Sequence, residues 1–209
     1  MSRFFKKEFW LRLHHFLKRR KPEGEWHPHD YIMAEVVLPF IPRWMRPNQF
    51  TVARFVLTPI VIFLIVKGNY SWGIALFIIA AFTDVIDGSL ARVRRQITNW
   101  GRLFDPVADK LLIGSLIVVV VWQYLDHFLA YTILTIELVF IFAAWIRKKH
   151  GGVPEANRWG KIKMFLQFLG VLFLLLSIQF EWPRFLAISE KTFYLAIIFA
   201  VLSLITHGI

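Results

Sequence analysis

Long apolar stretches separated by short polar connections dominate the chain from residue 47 onward. Several of these stretches approach the ~20 residues that an α-helix needs to cross a bilayer. They predict six spanning helices, at approximately residues 51–67, 72–92, 101–125, 128–146, 159–180 and 191–207. The pattern therefore predicts an all-α, polytopic membrane protein.

The first 46 residues have a different pattern, in which basic residues are mixed with large apolar ones. Residues 1–21 have the composition of a basic amphipathic helix that lies on the membrane surface, with a basic tail lacking regular structure as the alternative. The apolar stretch at 31–41 is too short to span a bilayer and predicts a second interfacial helix. We therefore expect an N-terminal extension of residues 1–46, with no signal peptide, followed by a six-helix membrane domain of residues 47–209.

Composition and charge support a membrane location. Of the 209 residues 57% are hydrophobic and 19% are charged, which is too apolar for an ordinary soluble domain. The net charge of +11 gathers at the ends of the apolar stretches, as anionic lipid and membrane topology require, and does not indicate a nucleic-acid partner. By the positive-inside rule, both termini and the basic connections at 93–100 and 147–158 should face the cytoplasm, with the protein integral to the cytoplasmic membrane.

Four aspartates interrupt the apolar pattern: Asp84, Asp87, Asp105 and Asp109. They recur at three- and four-residue steps at the ends of two successive predicted helices, so each pair shares a helix face. The short connection 93–100 makes these helices neighbours, and the two acidic faces can converge on one site. Carboxylates at membrane depth are costly and repel one another, which calls for a compensating cation. One or two hard divalent ions suit such oxygen ligands.

The aspartates would also fit two roles that involve no metal. One is a structural charge network that pairs them with Arg92, Arg94 and Lys110, and the other is a proton-coupled transporter. Spacing and clustering favour metal, which would bind phosphate oxygens and support a phosphoryl displacement. The small residues Gly88 and Ala91 would let a substrate approach the helix backbone, with Arg92 as a phosphate partner.

Residues 83–92, continued by residues 101–110, resemble the signature of the CDP-alcohol phosphotransferase family at every defining position. The resemblance covers the chain from about Pro47 to the C-terminus. It implies a six-helix membrane fold, usually homodimeric, whose site opens to the cytoplasmic leaflet. It also implies a transfer reaction in which an acceptor hydroxyl attacks the lipid-side phosphorus of CDP-diacylglycerol and expels CMP.

The same resemblance assigns roles to residues. Asp84, Asp87 and Asp105 would bind two divalent ions, usually Mg²⁺ with Mn²⁺ as a possible substitute, while Asp109 would complete the site and act as general base. The residues expected to bind the CDP-linked lipid are Asn48, Thr51, Gly88, Ala91, Arg92 and Gly101.

The acceptor is less defined. Three parts of the chain resemble the family branch that uses glycerol 3-phosphate and the related cardiolipin synthases. They are the form of the signature at 105–110, the first-helix residues Asn48, Thr51 and Arg54, and the fifth-helix residues 160–163 with Gln167. The cations expected to bind the acceptor phosphate, or alternatively to be ordinary membrane anchors, are Lys161, Lys163, Arg147 and Arg158.

One departure from that branch concerns the fourth helix, where an arginine typically precedes the glutamate. Here Ile136 precedes Glu137, so Glu137 needs another partner. Glycerol 3-phosphate is the expected acceptor, and membrane lipids are expected to surround the protein. The alternatives are phosphatidylglycerol in a cardiolipin synthase, a different acceptor alcohol, or, from another class, an ion-coupled transporter or inactive homologue.

Overall fold

The computed structural model describes residues 28–42, 44–149 and 158–207. Within these ranges the chain is helical and contains no strand, which confirms the all-α prediction. The helices are α1 (Pro28–Val36), α2 (Pro47–Val66), α3 (Tyr70–Val93), α4 (Asn99–Leu116), α5 (His127–Lys149), α6 (Arg158–Phe180) and α7 (Pro183–His207). A 3₁₀ turn at Leu38–Phe40 follows α1, and α4 continues through a π-helical turn at Ile117–Val121 into a last turn at Trp122–Tyr124.

Four of the described helices are long and apolar enough to cross a membrane, namely α2, α3, α6 and α7 as far as Thr206. The apolar part of α5 is shorter, at His127–Ala143, and α4 begins with polar residues. The chain thus has the helices of a membrane-integral protein, while six crossings stay a prediction. Large apolar side chains such as Phe63 and Phe142 are 60% exposed, which suits a surface that faces lipid.

Two boundaries differ from the predicted ones. The last helix begins at Pro183 instead of near residue 191, because the chain reverses at Glu181, whose φ is 54°, and proline favours the first turn of a helix. The predicted interfacial helix at 31–41 is the shorter α1 followed by a 3₁₀ turn. The predicted amphipathic helix within residues 1–21 lies outside the described residues.

The hydrophobic core joins α2 through α7. Fully buried members include Phe77 of α3, Leu116 of α4, Leu129 of α5, Leu174 of α6 and Phe193 of α7. Helices α6 and α7 pack together most extensively, and a Cβ on Gly170 would lie 2.9 Å from the ring of Phe193. The glycine is therefore required for this approach, and the core holds the polar ends of α2, α3 and α4 in fixed relation.

The connection from α3 to α4 places the two acidic helix ends. The amide of Gln96 donates to the carbonyl of Ala91 at 2.9 Å, and Arg95 adopts a left-handed conformation with φ of 55°. This is a Schellman-type helix end, here built without glycine. Thr98 then caps α4 by accepting a hydrogen bond from the amide of Gly101 at 2.9 Å.

Candidate active site

The polar ends of α2, α3 and α4 meet around one buried arginine, Arg54. Its Nη2 donates to Oδ2 of Asp87 at 2.6 Å, and its Nη1 lies 3.0 Å from Oδ1 of Asp84. The same Nη1 also donates to Oδ1 of Asp109. The side chain of Arg54 is 0% exposed and that of Asp87 is 2% exposed, so this pair is buried, whereas the side chain of Asp84 is 41% exposed.

Thr51, one turn before Arg54, brings the fourth aspartate into the same cluster. Its hydroxyl donates to Oδ1 of Asp105 at 2.7 Å and lies 3.4 Å from Oδ2 of Asp87. We call the four aspartates together with Arg54 and Thr51 the aspartate cluster. The convergence expected from sequence spacing is thus present in the structure, with α2 supplying its centre.

Two of the cations named by the structural-network hypothesis have partners outside the aspartates of the two predicted helices, and the third lines a cavity. Arg92 donates to Asp30, with Nε 2.7 Å from Oδ2. Arg94 donates to backbone carbonyls, including that of Ile41 at 2.7 Å. Lys110 lines a cavity among α4, α5 and α6. The arginine that pairs with the aspartates is Arg54.

The donor chemistry of the cluster fits hard divalent cations. Four carboxylates surround one guanidinium, which leaves an excess of negative charge if all are ionised. Among the described residues, no three His, Asp or Glu side chains already surround a common ion position, because the carboxylates close on Arg54 instead. Within that same set the buried Nε of Arg54 has no hydrogen-bond partner. Because Arg54 already contacts the oxygens of Asp84, Asp87 and Asp109, metal ligation would require it to give up part of these contacts.

The residues expected to bind the CDP-linked lipid fall into two groups. Asn48 and Gly101 adjoin Asp105, since a Cβ on Gly101 would lie 3.3 Å from Oδ1 of Asn48 and 3.4 Å from Oδ2 of Asp105. On α3, a Cβ on Gly88 would lie 3.3 Å from Nη1 of Arg92. The space above Gly88 thus accommodates the Arg92 guanidinium itself.

Two further residues were expected to bind the CDP-linked lipid. Ala91 is on α3 and partly exposed, and Thr51 belongs to the aspartate cluster. Pro106 lies inside α4, between Asp105 and Asp109, and not in its first turn.

Two cavities adjoin the aspartate cluster, and Asp109 lines both of them. The first has a volume of about 330 Å³ and is lined by Asp84, Asp109 and mainly apolar residues, with Phe82 and Phe165 also exposed on the outer surface. We call it the apolar cavity. The second has a volume of about 470 Å³ and lies among α4, α5 and α6. We call it the lysine cavity because Lys110 and Lys163 line it.

Glu137 finds its partner inside the lysine cavity. Nζ of Lys163 lies 2.5 Å from Oε1 of Glu137, and Nε2 of Gln167 donates to the same oxygen at 2.8 Å. Nζ of Lys163 also lies 4.3 Å from the ring centre of Phe140. The cationic partner of Glu137 is therefore a lysine of α6 and not an arginine of its own helix, α5.

The other predicted acceptor cations are placed differently from Lys163. Lys163 is buried, whereas Lys161 and Arg158 are exposed on the first turns of α6. Arg147 lies on α5, and its side chain is outside the described set. Lys163 lines the lysine cavity together with Asp109, whereas Lys161 and Arg158 do not line it.

Three contributors were missed as site residues by sequence reasoning. Arg54 and Gln167 were noted as part of the family resemblance, without a role, although an arginine in an apolar helix is itself a functional signal. Asp30 carries no such signal, because its partners Ser89 and Arg92 are distant in sequence.

The chain belongs to the CDP-alcohol phosphatidyltransferase family, whose sequence model matches residues 44–206. This confirms the resemblance seen in the signature. Members of this family generally depend on divalent metal.

Several individual members of the family are similar to the chain. The chain is 33% identical to a CDP-diacylglycerol–glycerol-3-phosphate 3-phosphatidyltransferase of Bacillus subtilis, over 75% of this chain and 90% of that protein. It is 35% identical to a protein of the same name from Rickettsia felis, over 63% of this chain and 75% of that protein. It is also 32% identical to a CMP-forming cardiolipin synthase of Streptomyces coelicolor, over 68% of this chain and 69% of that protein.

Proposed function

We propose that this chain transfers the phosphatidyl group of CDP-diacylglycerol to a hydroxyl of glycerol 3-phosphate, giving phosphatidylglycerophosphate and CMP. The observation that carries the proposal is the position of Asp109, which belongs to the aspartate cluster and lines both adjoining cavities. The apolar cavity suits the lipid. The lysine cavity is also lined largely by apolar side chains, but it adds Lys110, Glu137, Lys163 and Gln167, which suit a small charged acceptor. The names of the similar bacterial enzymes support this pair of substrates.

We assign two divalent ions, Mg²⁺ or in its place Mn²⁺, to Asp84, Asp87, Asp105 and Asp109. When bound, such ions supply positive charge that holds the diphosphate and stabilises the departing CMP. Thr51 orients Asp105 through its 2.7 Å hydrogen bond. Arg54 limits the repulsion among the carboxylates. The residues that contact the CDP-linked lipid in this proposal are Asn48, Thr51, Gly88, Ala91, Arg92 and Gly101.

Asp109 acts as the general base. It accepts the proton of the acceptor hydroxyl, whose oxygen forms a bond to the lipid-side phosphorus. The bond between that phosphorus and the bridging oxygen breaks, and CMP leaves with the bridging oxygen. Holding both substrates at Asp109 converts the encounter of two molecules into a reaction within one complex, which lowers the barrier.

The lysine cavity binds the acceptor. Lys163 and Lys110 supply positive charge for its phosphate, and Glu137 holds the Lys163 ammonium in place at 2.5 Å. Gln167 shares the same glutamate oxygen and fixes its direction. Because Lys161 and Arg158 are exposed and do not line this cavity, we assign them a secondary role in attracting the acceptor to it. The proposal gives Arg147 the same role.

The basic connections between the helices support a location in the cytoplasmic membrane, with both termini and the active site facing the cytoplasm. Residues 1–46 form an extension to the membrane domain of residues 47–209, which agrees closely with the family match. A homodimer follows from the family resemblance.

A second acceptor is favoured by one comparison. The similarity to the Streptomyces cardiolipin synthase supports phosphatidylglycerol, which carries its free hydroxyls on a lipid. Its headgroup would enter the lysine cavity with the glycerol end first.

The test is CMP release by the purified protein with CDP-diacylglycerol, Mg²⁺ and separate acceptors: glycerol 3-phosphate, phosphatidylglycerol, serine and inositol phosphate. We expect CMP release with glycerol 3-phosphate, and we expect it to depend on divalent metal. Release with phosphatidylglycerol alone would replace the acceptor by that of a cardiolipin synthase. No CMP with any acceptor would reject the enzyme and favour the transporter or an inactive homologue.

A further inference from the structure

A buried acid outside the family match contacts the signature of the active site. Asp30 on α1 is 0% exposed, and its two carboxylate oxygens accept hydrogen bonds from Arg92. Nε of Arg92 lies 2.7 Å from Oδ2, and Nη2 lies 2.8 Å from Oδ1. This two-point pairing fixes both the position and the plane of the guanidinium, which a single contact would not.

A third hydrogen bond fixes the carboxylate itself. The hydroxyl of Ser89, which is fully buried, donates to Oδ1 of Asp30 at 2.6 Å. Ser89 and Arg92 are both signature-segment residues on α3, so one carboxylate of α1 is bonded to two points on a single helix turn. Asp30 therefore cannot shift without changing the direction of Arg92.

The segment between α1 and α2 is held against the same end of α3. Arg94 donates to the carbonyls of Ile41 at 2.7 Å and of Pro42 and Met45 at 3.1 Å each. Met33 of α1 is also buried. The described part of the N-terminal extension is thus docked on α3 at both of its ends, beside the residues that the proposed function assigns to the CDP-linked lipid.

The guanidinium that Asp30 holds lies over Gly88. A Cβ at Gly88 would come within 3.3 Å of Nη1 and 3.4 Å of Nη2 of Arg92. Gly88 directly follows Asp87 of the aspartate cluster, and Asp84, Gly88 and Arg92 follow one another at four-residue steps on the same helix face. The arginine is therefore kept beside the aspartate cluster, where the diphosphate would bind.

We propose that Asp30 is a positioning residue that holds Arg92 for the diphosphate of the CDP-linked lipid, so that the N-terminal extension forms part of the donor site. This rests on the proposed function. A neutral residue at position 30 would leave Arg92 charged and near the site but without a fixed direction. Donor binding would weaken, while the chemistry at Asp109 and the acceptor site in the lysine cavity would not change.

The test is steady-state kinetics of the full chain carrying Asp30→Asn, an isosteric change that removes the charge. We expect the KM for CDP-diacylglycerol to rise by about 10-fold, with kcat and the KM for the acceptor within about 2-fold of the parent protein. Glu35→Gln provides the matched control, because Glu35 is an acid on the same helix with a partly exposed side chain. It should leave all three constants unchanged.

A double-mutant cycle separates positioning from general stabilisation. Once Arg92→Gln has removed the arginine, adding Asp30→Asn should raise the donor KM by less than about 2-fold, since the two changes act through one interaction. If Asp30→Asn raises the KM equally in both backgrounds, or lowers the thermal midpoint while leaving every KM unchanged, the proposal is wrong.

A second variant at position 30 applies if Asp30→Asn does not yield folded protein. Asp30→Glu keeps the charge and displaces the carboxylate by one methylene, and it should raise the donor KM by about 3-fold. An unchanged KM would reject the proposal. A failure of the proposed function itself would give a different result, because the parent protein would then release no CMP with any acceptor.

Discussion

The aspartate cluster and the lysine cavity both place acids inside a largely apolar helix bundle, but they balance charge in different ways. In the cluster, Asp84, Asp87 and Asp109 all contact Arg54, and Asp105 is bonded to Thr51. In the lysine cavity, Glu137 is bonded to Lys163 and Gln167, and Lys110 adds a second cation. One region keeps an excess of acid and the other is paired internally.

This difference explains why the two regions suit different partners. Excess carboxylate in a low-dielectric setting is costly unless cations join it, which is why the proposed function assigns metal and the diphosphate to the aspartate cluster. A paired lysine and glutamate need no added ion, but they offer a donor and an acceptor to a small polar molecule. Asp109 is the point at which the two regions meet.

The largest expected effect comes from Asp109→Asn, which keeps the size of the side chain but removes its basicity. Loss of a general base typically costs ~10²–10⁴-fold in rate, and we expect kcat for CMP release to fall within that range. Binding of CDP-diacylglycerol should remain close to that of the parent protein, measured by titration of the detergent-solubilised variant. Turnover near the parental rate would show that another group removes the proton.

Arg54→Gln should have the next largest effect, this time on stability. It leaves buried carboxylates without their counter-charge, and removing one partner of a buried ion pair costs about 3–5 kcal/mol. The thermal midpoint measured in EDTA should fall strongly, and Mg²⁺ should raise it more in the variant than in the parent, because metal then supplies the missing charge.

Arg184→Gln is the control for that experiment, since Arg184 is exposed at the start of α7. It should leave the midpoint within the error of the measurement. If Arg54→Gln behaves in the same way in EDTA, and Mg²⁺ shifts both variants equally, then Arg54 does not hold the cluster together.

Lys163→Met should have the smallest effect of the three. It removes the buried charge from the lysine cavity but keeps an unbranched side chain of similar length, and we expect the KM for glycerol 3-phosphate to rise by roughly 10- to 100-fold. The KM for CDP-diacylglycerol should stay within about 2-fold, because the donor binds at the other region.

Lys161→Met is the matched control, from the exposed side of the same helix turn. Its effect on the acceptor KM should be no more than about 2-fold at moderate salt, where surface charges are screened. Equal effects of the two substitutions would place the acceptor at the surface of α6 and not in the lysine cavity.

The difference between the two regions also shows how far sequence reasoning reaches. Within the aspartate cluster, i,i+3 and i,i+4 spacing on two adjacent segments was enough to predict that Asp84, Asp87, Asp105 and Asp109 converge. Spacing could not predict that Arg54 occupies their centre, because that depends on how α2 packs against α3 and α4. The need of Glu137 for a partner was predictable from the cost of an intramembrane acid, whereas the identity of that partner was not.

The same limit applies to the N-terminal segment. Asp30 lies 59 residues before Ser89 and 62 before Arg92, and no local pattern links the three. The chain's helical class followed from apolar stretches alone. Its helix boundaries differed most at the predicted 31–41 helix and at Pro183, where a turn at Glu181 starts α7 early. Features that depend on spacing along the chain and on short connections were predictable, whereas contacts between segments distant in sequence were not.

The central claim is that an acceptor hydroxyl at Asp109 attacks the lipid-side phosphorus of CDP-diacylglycerol. The most direct measurement uses glycerol 3-phosphate with ¹⁸O in its hydroxyl groups and follows the label by mass spectrometry of the products. The account predicts that the lipid product, phosphatidylglycerophosphate, retains the ¹⁸O and that the released CMP carries none. Label in a CMP-linked product, with unlabelled phosphatidic acid as the lipid, would mean attack at the other phosphorus and would contradict it.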